Sequence, residues 1–135
     1  MNMLKTMIFA LLFITPVSVA ASDFDGSKTL LCAVIQVFEC QANGECEQVT
    51  VEEINFLQFL KIDFKNKKIT GTRESGEVVT SEIKNIESMG GMLILQGVEL
   101  GRGWSMAITE ATGKMVMTAS SDQEGFVVFG ACIPD

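Results

Sequence analysis

Short runs of alternating apolar and polar residues, separated by turn residues, constrain the fold of this chain more than any other feature. In Phe59–Phe64, the apolar side chains of Leu60, Ile62 and Phe64 alternate with polar ones, and Gly103–Thr109 alternates strictly. A two-residue period is typical of a β-strand with one buried face. Closely spaced Gly and Asn residues between such runs are typical of the turns of antiparallel sheets. The pattern therefore predicts an antiparallel meander.

Eight strands are predicted, one before Cys40 and seven after residue 58. The first, within Leu30–Phe38, is rich in β-branched residues, which favours a strand over a helix. A capping-box tetrapeptide that begins at Thr50 predicts at most one short helical turn, near Val51–Asn55. Leu100–Gly103 is predicted to be a loop. The runs after residue 58 are Phe59–Phe64, Lys68–Arg73, Val78–Ile86, Met92–Gln96, Gly103–Thr109, the segment with Met115 and Met117, and Phe126–Cys132.

This strand number favours a closed barrel. Eight strands form a barrel that its own side chains can fill, or that holds one small ligand. We therefore predict an all-β fold built as a small closed barrel, with a sandwich or an open half-barrel as the alternatives.

The four cysteines are Cys32, Cys40, Cys46 and Cys132. An even number of cysteines in an exported chain indicates disulfides, and the spacing is too wide for the usual pairs of zinc ligands. Four cysteines allow three pairings. The Asn43-Gly44 turn folds the chain between Cys40 and Cys46, so we predict a local bridge there. Cys32 is then left for Cys132, which joins the beginning of the domain to its end.

The N-terminal segment has the features of a secretory signal. Lys5 provides a positive charge, Met7–Val19 provides an apolar run of 13 residues, and small residues at Ser18–Ala21 provide a cleavage site. The alternative is a membrane anchor, but a spanning helix needs about 20 apolar residues. We predict a cleaved signal peptide at 1–20 and one disulfide-linked β domain at 21–135. The mature protein is expected in the periplasm of a bacterium with an outer membrane, or secreted, and not embedded in a membrane.

Composition excludes several functions. The chain has 135 residues, no His, ten Lys and Arg, and 17 Asp and Glu, for a net charge of −7. Loss of the signal peptide removes one Lys, which leaves 9 − 17 = −8. Absence of His excludes Ser-His-Asp and Cys-His catalysis and His-ligated metals. Nucleic acid is not an expected partner because its binding needs a basic surface. We expect no cofactor. We also expect the protein to be a monomer.

Paired carboxylates are the remaining acid–base chemistry. The closest pairs are Glu52 with Glu53 and Asp122 with Glu124. A glycosidase needs two carboxylates about 5–9 Å apart in a cleft, with one pKa raised. These residues lie in predicted turns, where water solvates a carboxylate. Asp122 and Glu124 also have too few oxygen-bearing neighbours for calcium, which takes six to eight oxygen ligands. We therefore predict neither an enzyme nor a metal site.

One glycine-bracketed stretch carries the only Trp and one of the two Arg residues. Trp104 lies on the apolar face of its run, and Arg102 lies at the strand entrance, where it is expected to be exposed. If the barrel is hollow, Trp104 lines it together with Met106, Met115 and Met117, because Met adapts to irregular interiors. The candidate contacts for a ligand or partner are Trp104, Arg102, Met106, Met115 and Met117.

Several stretches of the mature chain resemble a family of small exported four-cysteine bacterial proteins to which no activity is attached. The resemblance supports export and the four-cysteine framework, and it supplies no functional residue. The overall architecture is similar, more loosely, to small periplasmic barrels such as lipocalin-like carriers and C-type lysozyme inhibitors. The family resemblance lies in Leu31–Ala33, Phe38–Cys40, Gly44–Cys46, Phe59–Phe64, Leu93–Val98, Gly101–Trp104 and Phe129–Cys132.

Three functions follow from these observations as hypotheses. The first is a non-catalytic carrier of a small hydrophobic ligand, held near Trp104 and Met106. The second is a protein-interaction module, such as an inhibitor of a basic envelope enzyme, steered by the acidic surface. The third is an envelope enzyme built on carboxylates, which the preceding arguments disfavour. Core volume separates the first two, since a barrel filled by its own side chains leaves no room for a carried ligand.

Overall fold

The structure is a computed structural model that describes Pro16 and residues 21–135. Apart from Pro16, the predicted signal peptide lies outside the described residues. In the described part of the chain there is no helix long and apolar enough to cross a membrane. The strands are β1 (Leu30–Gln41), β2 (Cys46–Val49), β3 (Phe59–Asp63), β4 (Lys68–Thr72), β5 (Val78–Met89), β6 (Met92–Glu99), β7 (Arg102–Thr109), β8 (Lys114–Ser120) and β9 (Glu124–Pro134).

Eight of these strands form a closed antiparallel barrel, which confirms the predicted fold class. From β3 to β9, each strand pairs with the next. The last strand, β9, then pairs with β1 over eleven positions, from Leu30 opposite Pro134 to Gln41 opposite Glu124. Because β1 also pairs with β3, the sheet has no free edge at the point of closure.

The ninth strand, β2, is an addition that the sequence analysis missed. Leu30–Ala33 of β1 pairs with β3, whereas Val37–Cys40 of β1 pairs with β2, so β2 and β3 occupy successive parts of the same edge. The β2 sequence Cys-Glu-Gln-Val has no apolar alternation because most of it is exposed. The predicted turn before it is present, with Gly44 at φ 88° and its N–H donating to the Gln41 carbonyl.

Both predicted disulfides are present. Cys40–Cys46 closes the short hairpin between β1 and β2. Cys32–Cys132 joins directly opposed residues of β1 and β9 across a sequence separation of 100. The long bridge therefore connects the two strands whose pairing closes the barrel, as the sequence predicted.

The central part of the barrel is filled by its own side chains. Along β6, β7 and β8, buried apolar residues alternate with more exposed residues, in agreement with the two-residue period. Among the described residues, no polar or charged side chain is fully buried. The most deeply buried side chains are Leu30, Cys32, Val37, Leu60, Ile62, Ile83, Leu93, Leu95, Met106, Ile108 and Met115.

Segments outside the strands cover the two ends of the barrel differently. At one end, Phe24 packs against Gly113, where a Cβ would lie 2.6 Å from the Phe24 ring. At the other end, the loop between β2 and β3, residues 50–58, folds over the opening and buries Val51 and Leu57. We call this loop the cap loop. The end that it partly covers is called the mouth.

The cap loop begins with the predicted capping box. The Thr50 N–H donates to Glu53 Oε2 at 2.7 Å, and the Glu53 N–H donates to Thr50 Oγ1 at 3.3 Å. These reciprocal bonds start a single turn at Val51–Asn55, which does not continue as a helix. The turn ends at Asn55, whose φ is 51°.

Strand β5 is shared between two neighbours along its length. Its first five residues, Val78–Glu82, pair with β4, and the residues from Ile83 onward pair with β6, with a register shift between Ile83 and Asn85. The strand runs to Met89, beyond the predicted end at Ile86. The predicted loop Leu100–Gly103 is shorter than expected, because only Leu100 and Gly101 separate β6 from β7.

Candidate binding site at the mouth of the barrel

A cavity of about 180 Å³ lies at the mouth, between the cap loop and the ends of seven barrel strands. It reaches the surface, because Leu100 on its wall is 74% exposed. An engineered apolar cavity of about 150 Å³ binds benzene or xenon. The space at the mouth is therefore suited to one aromatic ring or a short alkyl chain.

The wall of this cavity is mostly apolar. Twelve of its seventeen residues have apolar side chains, and the polar ones include both arginines of the chain. The apolar members are Ile54, Phe56, Leu57, Leu60, Ile69, Val79, Leu100, Trp104, Met117, Ala119, Phe126 and Val128, and the polar members are Asn55, Arg73, Ser81, Glu99 and Arg102.

Trp104 forms the inner wall of the cavity and is 5% exposed. Its ring extends across the neighbouring strand β6 over Gly97, where a Cβ would lie 2.4 Å from Trp104 Cζ2. Beyond β6, the indole N–H donates to Ser81 Oγ on β5 at 3.1 Å. The ring is thus held in one orientation by a hydrogen bond and by the absence of a side chain on Gly97.

Arg102 lies at the rim of the cavity, at the start of β7. Its side chain is 39% exposed, and one terminal nitrogen, Nη2, pairs with Glu124 Oε1 at the start of β9. The guanidinium carbon lies 5.8 Å from the ring centroid of Phe126, within the range of a cation–π contact. The Nε–H of Arg102 is buried and donates to no described acceptor.

Arg73 attaches the cap loop to the barrel. Its Nε–H donates to the Asn55 carbonyl at 3.0 Å, and its Nη1 pairs with Glu77 in the turn before β5. The side chain is 17% exposed. Because Arg73 contacts both the loop and the β4–β5 hairpin, it fixes the position of one wall of the cavity.

The residues singled out from the sequence separate into two groups. Arg102, Trp104 and Met117 all line the cavity. Met106 and Met115 are 0% and 1% exposed and belong to the filled centre of the barrel, so they do not reach the cavity. Arg102 is only half exposed, less than the sequence analysis expected at a strand entrance.

Sequence reasoning missed the contribution of the cap loop and of the strand ends. Leu57 and Phe56 are apolar residues outside any alternating run, and their apolar character was the only available signal. Phe126 was predicted within a strand that is apolar on both faces, so its orientation toward the mouth was not fixed by the pattern. Arg73 was predicted only as the last residue of the strand Lys68–Arg73, and no side-chain contact was assigned to it.

Two of the four candidate carboxylates are engaged by other residues, and the other two are exposed. Glu53 is engaged in the capping box, and Glu124 pairs with Arg102. Glu52 and Asp122 are exposed. Within residues 21–135, no three acidic or cysteine side chains are grouped so that they could hold a metal ion.

The carboxylates with shifted pKa values lie outside the cavity wall. Hydrogen bonds from Asn66 lower the pKa of Asp63 in the β3–β4 turn. Hydrogen bonds from Ser27 lower the pKa of Asp25. A hydrogen bond and the positive charge of Lys84 lower the pKa of Glu82. A catalytic acid would instead need a raised pKa.

A second depression of about 610 Å³ lies on the other side of the cap loop. Only Val51 and Phe56 among its nine wall residues are apolar, and the others are polar or charged. Binding sites for small molecules are usually lined by apolar side chains with few polar groups. The cavity beside Trp104 is therefore the better candidate site.

A scan of protein-family models finds no match to this chain, and a search of curated proteins finds no relative.

Proposed function

We propose that this protein is an exported, non-catalytic binding protein that holds a small apolar group at the mouth of its barrel. The cavity beside Trp104 is the observation that carries the proposal. It is apolar, it opens to solvent, and its wall is fixed by the hydrogen bonds of Trp104 and Arg73. Preformed apolar cavities of this kind bind apolar ligands with little cost in ordering the protein.

The size of the cavity limits what is carried. The centre of the barrel is filled, so a long chain has no path through it. A volume near 180 Å³ accommodates one ring or a short alkyl segment, and any remainder of the ligand extends past Leu100 into solvent. The proposed ligand is thus smaller than the carrier hypothesis of a hollow barrel implied.

Two disulfides support an exported location, since disulfides persist in oxidising compartments such as the periplasm. The predicted signal sequence points the same way. Proteolysis of the N-terminus during export would place the first residue of the mature protein at Ala21 or Ser22, which N-terminal sequencing checks.

Fluorescence of the single Trp provides a test of the binding site. Titration of the disulfide-intact protein with 1-hexanol should change the emission of Trp104 in a saturable way, because the ring forms the cavity wall. The substitution Ala119→Leu places extra carbons on the same wall and should abolish the response. Urea unfolding should show that this variant remains folded.

A matched control is Ala107→Leu on the outer face of β7. Ala107 lies in the strand that carries Trp104, but between the inward-facing residues Met106 and Ile108. This variant should respond to hexanol as the unmodified protein does. If hexanol leaves Trp104 emission unchanged, or if both leucine variants lose the response equally, the cavity is not the binding site.

A protein-interaction module is the second candidate, favoured by an apolar patch on the outer surface. Ile35 and Ile133 are 73% and 62% exposed on the paired strands β1 and β9, and Phe59 on β3 is also exposed. Phe129 packs edge-to-face against Phe38 on the same outer face. Contiguous exposed apolar surface is typical of interaction sites.

Native mass spectrometry of protein purified from its own compartment distinguishes the two candidates. A bound mass of ligand size that is absent from Ala119→Leu supports the carrier. A stoichiometric protein partner that is lost on Ile35→Ser, with hexanol binding intact, supports the interaction module and moves the proposal to the outer face.

A further inference from the structure

The two arginines of this acidic chain converge on one small cavity. Arg73 and Arg102 are the only arginines, and both line the cavity at the mouth. Their paired carboxylates, Glu77 and Glu124, do not line it. Glu99 is the one acidic residue on the described wall. Because Glu77 and Glu124 pair with the two arginines, the arginines bring N–H donors to the wall and not an excess of positive charge.

The two arginines differ in how many of their donors are already used. Arg73 gives its Nε–H to the Asn55 carbonyl and a terminal nitrogen to Glu77, so its role is to hold the cap loop. Arg102 uses Nη2 for Glu124, while its Nε–H is buried without an acceptor among the described residues. A buried donor without an acceptor is destabilising, and such groups are rare in folded proteins.

We propose that the ligand is a small carboxylic acid, whose apolar part occupies the cavity against Trp104 and whose carboxylate binds Arg102. This inference rests on the proposed function and names the chemical class of its ligand. A carboxylate oxygen accepts from Nη1, the terminal nitrogen of Arg102 that does not pair with Glu124, on a side chain that is 39% exposed. The guanidinium carbon lies within cation–π distance of the Phe126 ring at the rim, which holds the charged group beside the cavity.

The volume of the cavity also limits the length of the acid. The apolar part fits within about 180 Å³, which corresponds to a phenyl ring or to an alkyl chain of about six carbons. A neutral molecule of the same shape fills the cavity equally well, but it leaves the charge of Arg102 without a new partner. The preference for the acid over its neutral analogue is therefore the property that Arg102 provides.

Calorimetric titrations with hexanoate and 1-hexanol at neutral pH test this assignment. The unmodified protein should bind hexanoate about tenfold more tightly than hexanol, because a hydrogen bond to a charged group adds selectivity of this order. The double variant Arg102→Gln/Glu124→Gln removes the ion pair without leaving a lone charge, and it should bind both probes with equal affinity. Trp104 fluorescence in each titration reports whether the cavity itself is occupied.

Lys65→Gln is the control for net charge. Lys65 lies in the turn between β3 and β4, and the mouth lies at the opposite end of these strands. Removal of its charge should leave the tenfold preference unchanged. If this variant reduces the preference as much as the double variant does, the effect comes from the overall charge, and the assignment of Arg102 is overturned.

The outcomes separate the two levels of the proposal. Saturable binding of hexanol with no preference for hexanoate refutes the carboxylate and leaves the apolar site intact. A Trp104 signal that responds to neither probe refutes the cavity as a binding site altogether. A preference that persists in the double variant also overturns the role of Arg102.

Discussion

Gly97 and Trp104 show how one small residue determines the position of one large residue. They are directly paired across β6 and β7, and the indole ring covers the backbone of Gly97 on its way to Ser81. A Cβ at residue 97 would also lie 2.6 Å from the Glu82 carbonyl, which belongs to the backbone of β5. The inner wall of the cavity therefore depends on the absence of a side chain at this position.

Gly97→Ala should accordingly lower the free energy of unfolding by about 1–3 kcal/mol, because the added methyl forces the indole or the β5 backbone to move. Trp104 emission should shift as the ring is displaced. Gly103→Ala is the matched control, since no heavy atom lies within 4 Å of a Cβ there. It should be neutral or stabilise by about 0.5 kcal/mol. If urea unfolding shows that the two variants lose the same free energy of unfolding, this account of Gly97 is contradicted.

Leu100 is a second residue with an unusual environment. It has φ 48° and Gly101 has φ 76°, so both central residues of the β6–β7 turn lie in the left-handed region. Asn-Gly is the preferred sequence for such two-residue hairpin turns, and a Leu there is disfavoured. Its side chain is nevertheless exposed at the rim of the cavity.

Leu100→Asn should therefore raise the free energy of unfolding by about 1 kcal/mol, because Asn tolerates the left-handed conformation. Leu100→Ala keeps the unfavourable backbone and should leave stability nearly unchanged. Urea unfolding midpoints of both variants provide the measurement. A stabilisation by Ala as large as that by Asn would show that the side chain, and not the backbone conformation, is unfavourable.

At the scale of elements, β1 connects more of the molecule than any other strand. It pairs with β9 along its whole length and with β3 and β2 on its other edge. Both disulfides include a residue of β1, but they constrain loops of very different length. Cys32–Cys132 spans a sequence separation of 100, and Cys40–Cys46 spans only 6.

Loss of the long bridge should destabilise the protein about twice as much as loss of the short one. The entropy of loop closure predicts about 4–5 kcal/mol for Cys32→Ala/Cys132→Ala and about 2 kcal/mol for Cys40→Ser/Cys46→Ser. Cys32 and Cys132 are also buried, whereas Cys46 is exposed. Urea unfolding of the two double variants measures the difference. Equal destabilisation would show that closure of the barrel by strand pairing alone makes the long bridge redundant.

At the scale of the whole molecule, the acidic composition sets the response to pH. Hydrogen bonds lower the pKa of Asp63 and Asp25 in the folded state, so the folded protein holds these protons less tightly than the unfolded chain. Their contribution to stability is present above the unfolded pKa, near 4, and is lost as the pH falls through the lower folded pKa. The negative charge of the rest of the surface also decreases in this range, which reduces repulsion.

We therefore expect the urea midpoint to decline only below about pH 4, where these carboxylates titrate. Asp63→Asn removes one titrating group and retains an acceptor for the Asn66 N–H, so its decline should be shallower than that of the unmodified protein. Two results would contradict the role of these hydrogen bonds. One is a urea midpoint that rises as the pH falls below 4, and the other is a decline in Asp63→Asn as steep as that of the unmodified protein.

The sequence alone determined the properties that depend on neighbouring residues. Alternation along Gly103–Thr109 identified both the strand and its buried face, because side chains of a strand point to opposite sides in turn. The Asn43-Gly44 turn identified the short disulfide, and the remaining cysteines then identified the strands that close the barrel. The capping box at Thr50 identified the hydrogen-bonded turn at Val51–Asn55.

Only the tertiary structure decided where the barrel is filled and where it is open. Trp104 and Met106 are both inward-facing residues of β7, yet only Trp104 reaches the cavity, because its position along the barrel axis places it at the mouth. Arg73 and Arg102 lie 29 residues apart in the sequence, and both line the cavity because of the register of the three intervening strand pairings, β4–β5, β5–β6 and β6–β7. The β2 strand and the cap loop show no alternation of apolar and polar residues in the sequence. Most residues of β2 are exposed, and in the cap loop only Val51 and Leu57 are buried. A cavity is the space that side chains from distant segments leave unfilled, so no local pattern in the sequence encodes it.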